Sequence, residues 1–189
     1  MATLKVGIIG VGGISRSHLP GWEASEHAEV VAGSDVNDKV LKSWGKQHGV
    51  SILSTDPKDL FRNPDIDIID VCTPNNYHAP LAIAAMNAGK HVICEKPLTN
   101  NLKESKDVLQ ALKKTRKKTL TAYNYRRVPA VALAKQMIEE GRIGKIYHWR
   151  AVYLQDWIMD PNFPLVWRLQ KGEAGSGPHG DLNAHISDL

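Results

Sequence analysis

Short apolar runs alternate with segments of helical period through the first two-thirds of this 189-residue chain. Leu4–Ile9 reads as an apolar strand, as expected where a parallel sheet is covered on both faces. A helix from about Ile14 to Ala24 follows, then a strand over Glu29–Gly33 and a helix over Lys39–His48. Ser51–Leu53 predicts a weak third strand, and Asp56, Asp59, Leu60 and Phe61 a short helix ended by Asn63-Pro64. Ile66–Cys72 is the fourth strand, and Tyr77–Ala88 an Ala-rich helix with Gly89 as its C′ residue. His91–Cys94 is the fifth. Leu102–Lys117 is the best-defined helix, with Asn101 as N-cap and Glu104 completing a capping box. Thr119–Ala122 is the sixth strand. This alternation, with short connections, predicts an α/β fold: an open, doubly wound parallel sheet of Rossmann type with right-handed crossovers.

The pattern changes near Tyr123. Residues 1–122 are therefore expected to form one domain, and residues 123–189 the start of a second α/β domain. The second begins with a helix over about Pro129–Glu140 and the turn Gly141-Arg142-Ile143-Gly144. A long strand is expected from Lys145 to about Leu154. A Trp-, Pro- and Gly-rich irregular segment covers Gln155–His179, and a helix starts near Asp181.

Composition narrows the class. Apolar content of 42% with 23% charged residues is that of a globular protein. No run approaches the roughly 20 apolar residues of a membrane span, and Leu4–Ile9 is too short for a signal-peptide core. Cys72 and Cys94 each fall inside an expected buried strand, so a cytoplasmic protein with reduced thiols is expected. Much of the net charge of +4 comes from Lys113, Lys114, Arg116, Lys117 and Lys118 at one helix end, where cations suit the helix dipole. No aromatic residues are interleaved there to stack bases, so nucleic acid is not an expected partner.

Candidate chemistry begins at Gly10-Val11-Gly12-Gly13-Ile14-Ser15, directly after the first strand. Gly10 permits a tight turn and Gly12 lets backbone approach a pyrophosphate. Ser15, in the place of a third glycine, is small enough for helix–strand packing. Backbone N–H groups of the following helix then face the anion. Asp35 lies about 20 residues further on, at the end of the second strand, where a carboxylate accepts from the adenosine ribose; it also suits a helix cap. A free carboxylate repels a 2′-phosphate, so NAD is favoured over NADP, with Lys39 keeping NADP open. A methyltransferase could use a similar acid, but would leave the later residues unexplained.

Thr73-Pro74-Asn75-Asn76-Tyr77-His78 leaves strand four at the same edge, and its polar groups can bind ribose hydroxyls. Glu95-Lys96-Pro97 follows strand five. A lysine there can stabilise charge developing on a substrate oxygen, although a surface lysine beside a turn proline has the same spacing. Asp181 and His185 stand at helical i, i+4 spacing, about 6 Å apart. The imidazole can accept a proton and the carboxylate can orient it; a solvated helix face has the same pattern. What distinguishes this pair is the preceding turn, Gly175-Ser176-Gly177-Pro178-His179-Gly180. The scattered histidines and separate cysteines form no metal-ligand pattern, and no metal is expected.

In this order, Gly10-x-Gly12, Glu95-Lys96-Pro97, Asn124-Tyr125-Arg126 and Gly180-Asp181-x-x-x-His185 resemble the Gfo/Idh/MocA family of glucose–fructose oxidoreductases and inositol dehydrogenases. The resemblance covers essentially the whole chain. It implies a nicotinamide cofactor held by Gly10, Gly12, Gly13, Ile14, Ser15, Asp35, Thr73, Pro74, Asn76, His78, Glu95, Lys96 and Asn124. It gives Lys96, Asp181 and His185 the catalytic roles. With those three it makes Tyr153, Gln155, Asp156, Trp157 and Arg168 substrate-pocket residues. Tyr153–Trp157 and Ser176–Gly180 are similar to members acting on inositols and on anhydro-sugars such as levoglucosan. A full-length member is expected to be a homo-oligomeric dehydrogenase of a cyclic polyol or sugar. Family members are near twice this length, so a truncated or split chain is expected, with no activity of its own. The alternative is a dinucleotide-binding fragment, or one half of a split dehydrogenase.

Overall fold

The computed structural model describes residues 3–175 and 177–189, and the chain divides into two compact units, Met1–Thr121 and Ala122–Leu189. In the first unit six strands, β1 (Leu4–Ile9), β2 (Ala28–Ser34), β3 (Ile52–Ser54), β4 (Ile68–Val71), β5 (His91–Cys94) and β6 (Thr119–Thr121), form one sheet. All pairings are parallel and the order is β3-β2-β1-β4-β5-β6. That is the doubly wound order, which reverses between β1 and β4 and opens a crevice at the C-terminal strand ends. Helices α1 (Ser15–Glu23), α2 (Asp38–His48), α3 (Pro57–Arg62), α4 (His78–Asn87) and α5 (Leu102–Thr115) connect the strands.

Both sheet faces are covered, which is why these strands read as apolar runs rather than as alternation. On one face Val6, Ile8 and Val11 pack with Leu19 of α1 and with Leu41 and Trp44 of α2. On the other, Ile9, Ile69, Val71 and Val92 pack with α3, with Ala79, Ala82, Ala85 and Met86 of α4, and with Val108 and Ala111 of α5. Helix ends follow the sequence. Asn101 accepts from Glu104 N at 3.0 Å, and the Glu104 carboxylate accepts from Asn100 N at 2.8 Å. Gly89 ends the α4 turn at φ 84°.

The second unit opens with a 3₁₀ turn, Tyr125–Arg127, and α6 (Pro129–Glu139), started by a proline in its first turn. Gly141 and Gly144, both at φ 71°, shape the turn that follows. The strand expected over Lys145–Leu154 does not form: the segment is coil, with no ladder partner among the described residues. Its residues are strand-like, but a strand is completed by inter-strand hydrogen bonds that one segment cannot supply for itself. Tyr147, Trp149, Val152 and Leu154 are accordingly exposed. The region expected to be irregular carries a 3₁₀ turn, Trp167–Leu169, and the one-turn helix α7 (Lys171–Ala174). The last helix is wound as π over His179–Asn183 and continues as α8 (Ala184–Asp188). Ser176, part of the glycine-rich turn singled out above, lies outside the described residues.

Candidate functional site

Four polar loops meet at the C-terminal ends of β1, β2, β4 and β5. Gly10 N donates to Ser34 O at 2.8 Å, Cys72 N to Ile9 O at 2.7 Å and Glu95 N to Val71 O at 2.9 Å, so sheet pairing continues to the rim. Gly10 has φ +86°, and a Cβ there would stand 2.7 Å from the Cys72 carbonyl oxygen. Only glycine fits that approach. At Gly12 and Gly13 an added Cβ would meet nothing within 4 Å, so the loop leaves open space where a diphosphate would lie. Ser15 is fully buried and its hydroxyl donates to Gly12 O at 2.7 Å, folding the loop onto the start of α1. Ile14 caps α1 without a side-chain bond, and in the first turn Arg16 N donates to Gly13 O at 3.3 Å and Ser17 N to Ile14 O at 2.9 Å.

Asp35 closes the loop's other side, its carboxylate accepting from Val11 N at 3.1 Å and Asn37 N at 2.9 Å. Past β4, the Thr73 hydroxyl oxygen is buried with no hydrogen-bond partner among the described residues. A buried hydroxyl at a crevice mouth suits a polar ligand. Pro74 leads into a 3₁₀ turn, Asn75–Tyr77, that carries Asn76. His78 is buried, with Nδ1 2.7 Å from Pro97 O and Nε2 2.8 Å from Thr73 O, so its ring braces the two loops against each other. The Lys96-Pro97 bond is cis. These features accommodate a dinucleotide: a loop open at Gly12 and Gly13, a carboxylate beside it and, among the described residues, a buried hydroxyl without a partner.

A buried charge cluster that the spacing of residues along the chain does not predict lies behind this rim. His18 of α1 places Nδ1 3.0 Å from both carboxylate oxygens of Asp70 and Nε2 3.0 Å from Glu95 Oε1. Trp22 Nε1 donates to Asp70 Oδ2 at 2.7 Å, and Glu95 Oε2 accepts from Lys96 N at 3.1 Å. Burial disfavours a charged His18, yet its bonds to Asp70, Cys72 and Glu95 outweigh that and hold the ring far above the ordinary histidine value. Burial likewise pushes against Glu95 ionisation, but the His18 bond and charge keep its carboxyl below the usual range. Burial raises the Cys72 thiol to about 12. His18, Asp70 and Cys72 bring donor atoms of metal-ligand type within 4.8 Å of one another. In this structure those atoms bond to each other.

Within the second unit His185 is buried in a ring of tyrosines, its centroid 4.7 Å from Tyr125, 5.8 Å from Tyr153 and 6.0 Å from Tyr123. Tyr125 and Tyr153 share a hydroxyl–hydroxyl bond. Gln155 donates to the Tyr153 hydroxyl and accepts from Trp157 Nε1. Burial first, and then the Tyr125 bond, raises the Tyr153 phenol to about 12. Arg168 donates to Asp181 Oδ1 at 2.9 Å. Five of the expected residues, Tyr153, Gln155, Trp157, Arg168 and Asp181, therefore fall into two hydrogen-bonded groups. Asp156 is exposed, and Asn124 is exposed just before the Tyr125–Arg127 turn. Tyr123 and Tyr125 join the site only through the fold, although Tyr125 lies inside the motif Asn124-Tyr125-Arg126.

The fold and rim define a dinucleotide-binding α/β domain of the oxidoreductase kind. Residues 4–123 match the model described as the Gfo/Idh/MocA oxidoreductase family, NAD-binding Rossmann fold, and residues 131–189 match a C-terminal domain of the same family. The chain belongs to the Gfo/Idh/MocA family, and its first unit is that family's NAD-binding domain. It is 43% identical to a levoglucosan dehydrogenase of Pseudarthrobacter phenanthrenivorans, over 100% of this chain and 50% of that protein. A myo-inositol 2-dehydrogenase of Thermotoga maritima is 34% identical over 75% of this chain and 41% of its own length. A solved levoglucosan dehydrogenase in complex with NADH and levoglucosan superposes with TM-score 0.91 at 42% identity, over 98% of this chain and 52% of that one. The chain thus spans about half the length of these relatives. Among the described residues no helix is long and apolar enough to cross a membrane.

Proposed function

We propose that the whole protein is an NAD-dependent dehydrogenase oxidising a secondary alcohol of a cyclic polyol or sugar, of inositol or anhydro-sugar type. The observation that carries this reading is the rim itself: glycine loop, Asp35, the Thr73 turn and Lys96 on adjacent parallel strands. Gly12, Gly13 and the α1 N–H groups would hold the diphosphate, Asp35 the adenosine ribose, and Thr73 and Asn76 further hydroxyls. NAD supplies the hydride acceptor. His185 takes the hydroxyl proton as the carbonyl forms, Asp181 orients His185, and Lys96 donates to the oxygen. Tyr153, Gln155, Trp157 and Arg168 line the sugar side, in keeping with the levoglucosan and inositol dehydrogenases among the relatives. The same reading makes the protein a cytoplasmic homo-oligomer without nucleic-acid or membrane partners; unpaired, buried Cys72 and Cys94 suit a reducing compartment.

NADH formation with a panel of inositols, hexoses and anhydro-sugars tests this directly. Turnover on a cyclic polyol or anhydro-sugar is expected from the whole protein. Activity confined to acyclic or non-sugar alcohols contradicts it. For the 189 residues alone, a second reading has its own support: Lys145–Leu154 forms no strand among the described residues and, apart from half-buried Tyr153, is exposed. It has this chain bind dinucleotide without turning over sugar. Turnover on the order of 1 per second or more by the purified chain rejects that second reading.

A further inference from the structure

We infer that His18 is a positioning residue, a ring clamped between the carboxylates of Asp70 and Glu95 that ties the Glu95-Lys96 turn to the helix of the glycine loop. The inference rests on the reading above, in which Lys96 meets the substrate oxygen.

The side chain of Asp70 has no solvent exposure. A buried carboxylate needs partners to replace lost hydration. Trp22 supplies one N–H, and His18 Nδ1 lies on both oxygens. The other nitrogen of the same ring faces Glu95 Oε1 at 3.0 Å. A neutral imidazole has one N–H, so in either tautomer it would aim a lone pair at a carboxylate. Only the doubly protonated ring donates to both. The titratable groups facing it are Asp70 from β4, Cys72 just beyond β4, and Glu95 beyond β5, with Lys96 adjacent to Glu95. The thiol is held neutral, so the cluster balances one imidazolium against two carboxylates, beside the Lys96 cation.

The consequence falls on Lys96. With Oε1 pinned by His18, Glu95 Oε2 is aimed at the Lys96 main-chain N–H, 3.1 Å away. His18 lies in the first turns of α1, the helix that follows the glycine loop. One side chain therefore joins the segment that would cradle the diphosphate to the turn that carries Lys96. Without it, Asp70 and Glu95 lose their common counter-charge, and Glu95 loses the bond that holds Oε2 towards the Lys96 amide.

Two measurements on the 189-residue chain test this. Nitrogen-15 NMR of the wild-type ring should show both His18 nitrogens protonated at neutral pH and above; a ring titrating near the ordinary value of 6.5 overturns the clamp. Amide hydrogen exchange should then show the Lys96 N–H exchanging about tenfold faster in His18→Gln, the loss of roughly one hydrogen bond, with Val92 in the middle of β5 unchanged. Glu95→Ala should give the same rise, and the double variant no more than that. A Lys96 rate unchanged relative to Val92, or effects of the two changes that add, shows a structural role only and overturns the inference. NADH affinity is measured on the same samples. A wild-type chain that fails to bind NADH sinks the functional reading while the exchange result still decides the positioning one.

Discussion

A carboxylate without solvent exposure in the middle of a parallel strand persists only where neighbours replace water, and at Asp70 those neighbours are His18 and Trp22. The sign of the resulting pH dependence follows from the two shifts. His18 is raised in the folded state, so its stabilisation is complete below its ordinary value of 6.5 and declines as pH climbs towards the folded value. Glu95 is lowered, so its contribution is present above 4.5 and disappears as pH falls through its folded value. The cluster should stabilise most between 4.5 and 6.5. Melting temperature followed from there into the alkaline range should fall in wild type, and His18→Gln should flatten that limb; parallel curves would contradict the account. At the proposed catalytic lysine, Lys96→Ala should lower turnover of the whole protein by about 10²-fold or more, because it removes a charge acting mainly in the transition state. A loss below tenfold removes Lys96 from that role. The hint of the buried cluster was present in the sequence, as an acid inside the apolar run Ile68-Ile69-Asp70-Val71. Its partners were not legible, because His18 lies 52 positions from Asp70 and 77 from Glu95, and side-chain chemistry alone does not pair them.

Elements of the first unit were legible because local signals agree with the global arrangement. Two-sided burial makes each strand an apolar run, and caps such as Asn101 and glycines such as Gly89 mark the helix ends. The segment Lys145–Leu154 shows the limit. Its residue types favour a strand, but the missing ingredient is a neighbour to pair with, and strand pairing is not a local property. The glycine loop is where sequence and structure together say more than either alone. Gly10→Ala combines a left-handed backbone with a Cβ 2.7 Å from a carbonyl oxygen, and should destabilise the fold itself by more than ~1 kcal/mol. Gly12→Ala meets no protein atom within 4 Å beyond its chain neighbours and should melt like wild type, yet weaken NADH binding about tenfold or more, because the methyl would stand where the diphosphate is proposed to approach. Melting curves and NADH titrations of the two variants separate these outcomes; a Gly12→Ala chain that binds NADH normally contradicts the cradle.

At the scale of the molecule, the two units differ in how much backbone is secured. Residues Met1–Thr121 have a sheet covered on both faces, whereas residues 145–165 run mostly exposed and outside any helix or strand. Limited proteolysis should therefore cut first after about Gly144 and leave a resistant fragment containing the whole sheet, since cleavage tracks local opening; early cuts within β1–β5 would contradict that division. In the proposed NAD site at the sheet rim, the Asp35 carboxylate, anchored by Val11 N and Asn37 N, meets the adenosine ribose. Titrating the 189-residue chain with NADH and NADPH by fluorescence tests it most directly. NADH should bind the more tightly, and Asp35→Ala should narrow the difference. NADPH binding as tightly as NADH, or more so, would contradict it.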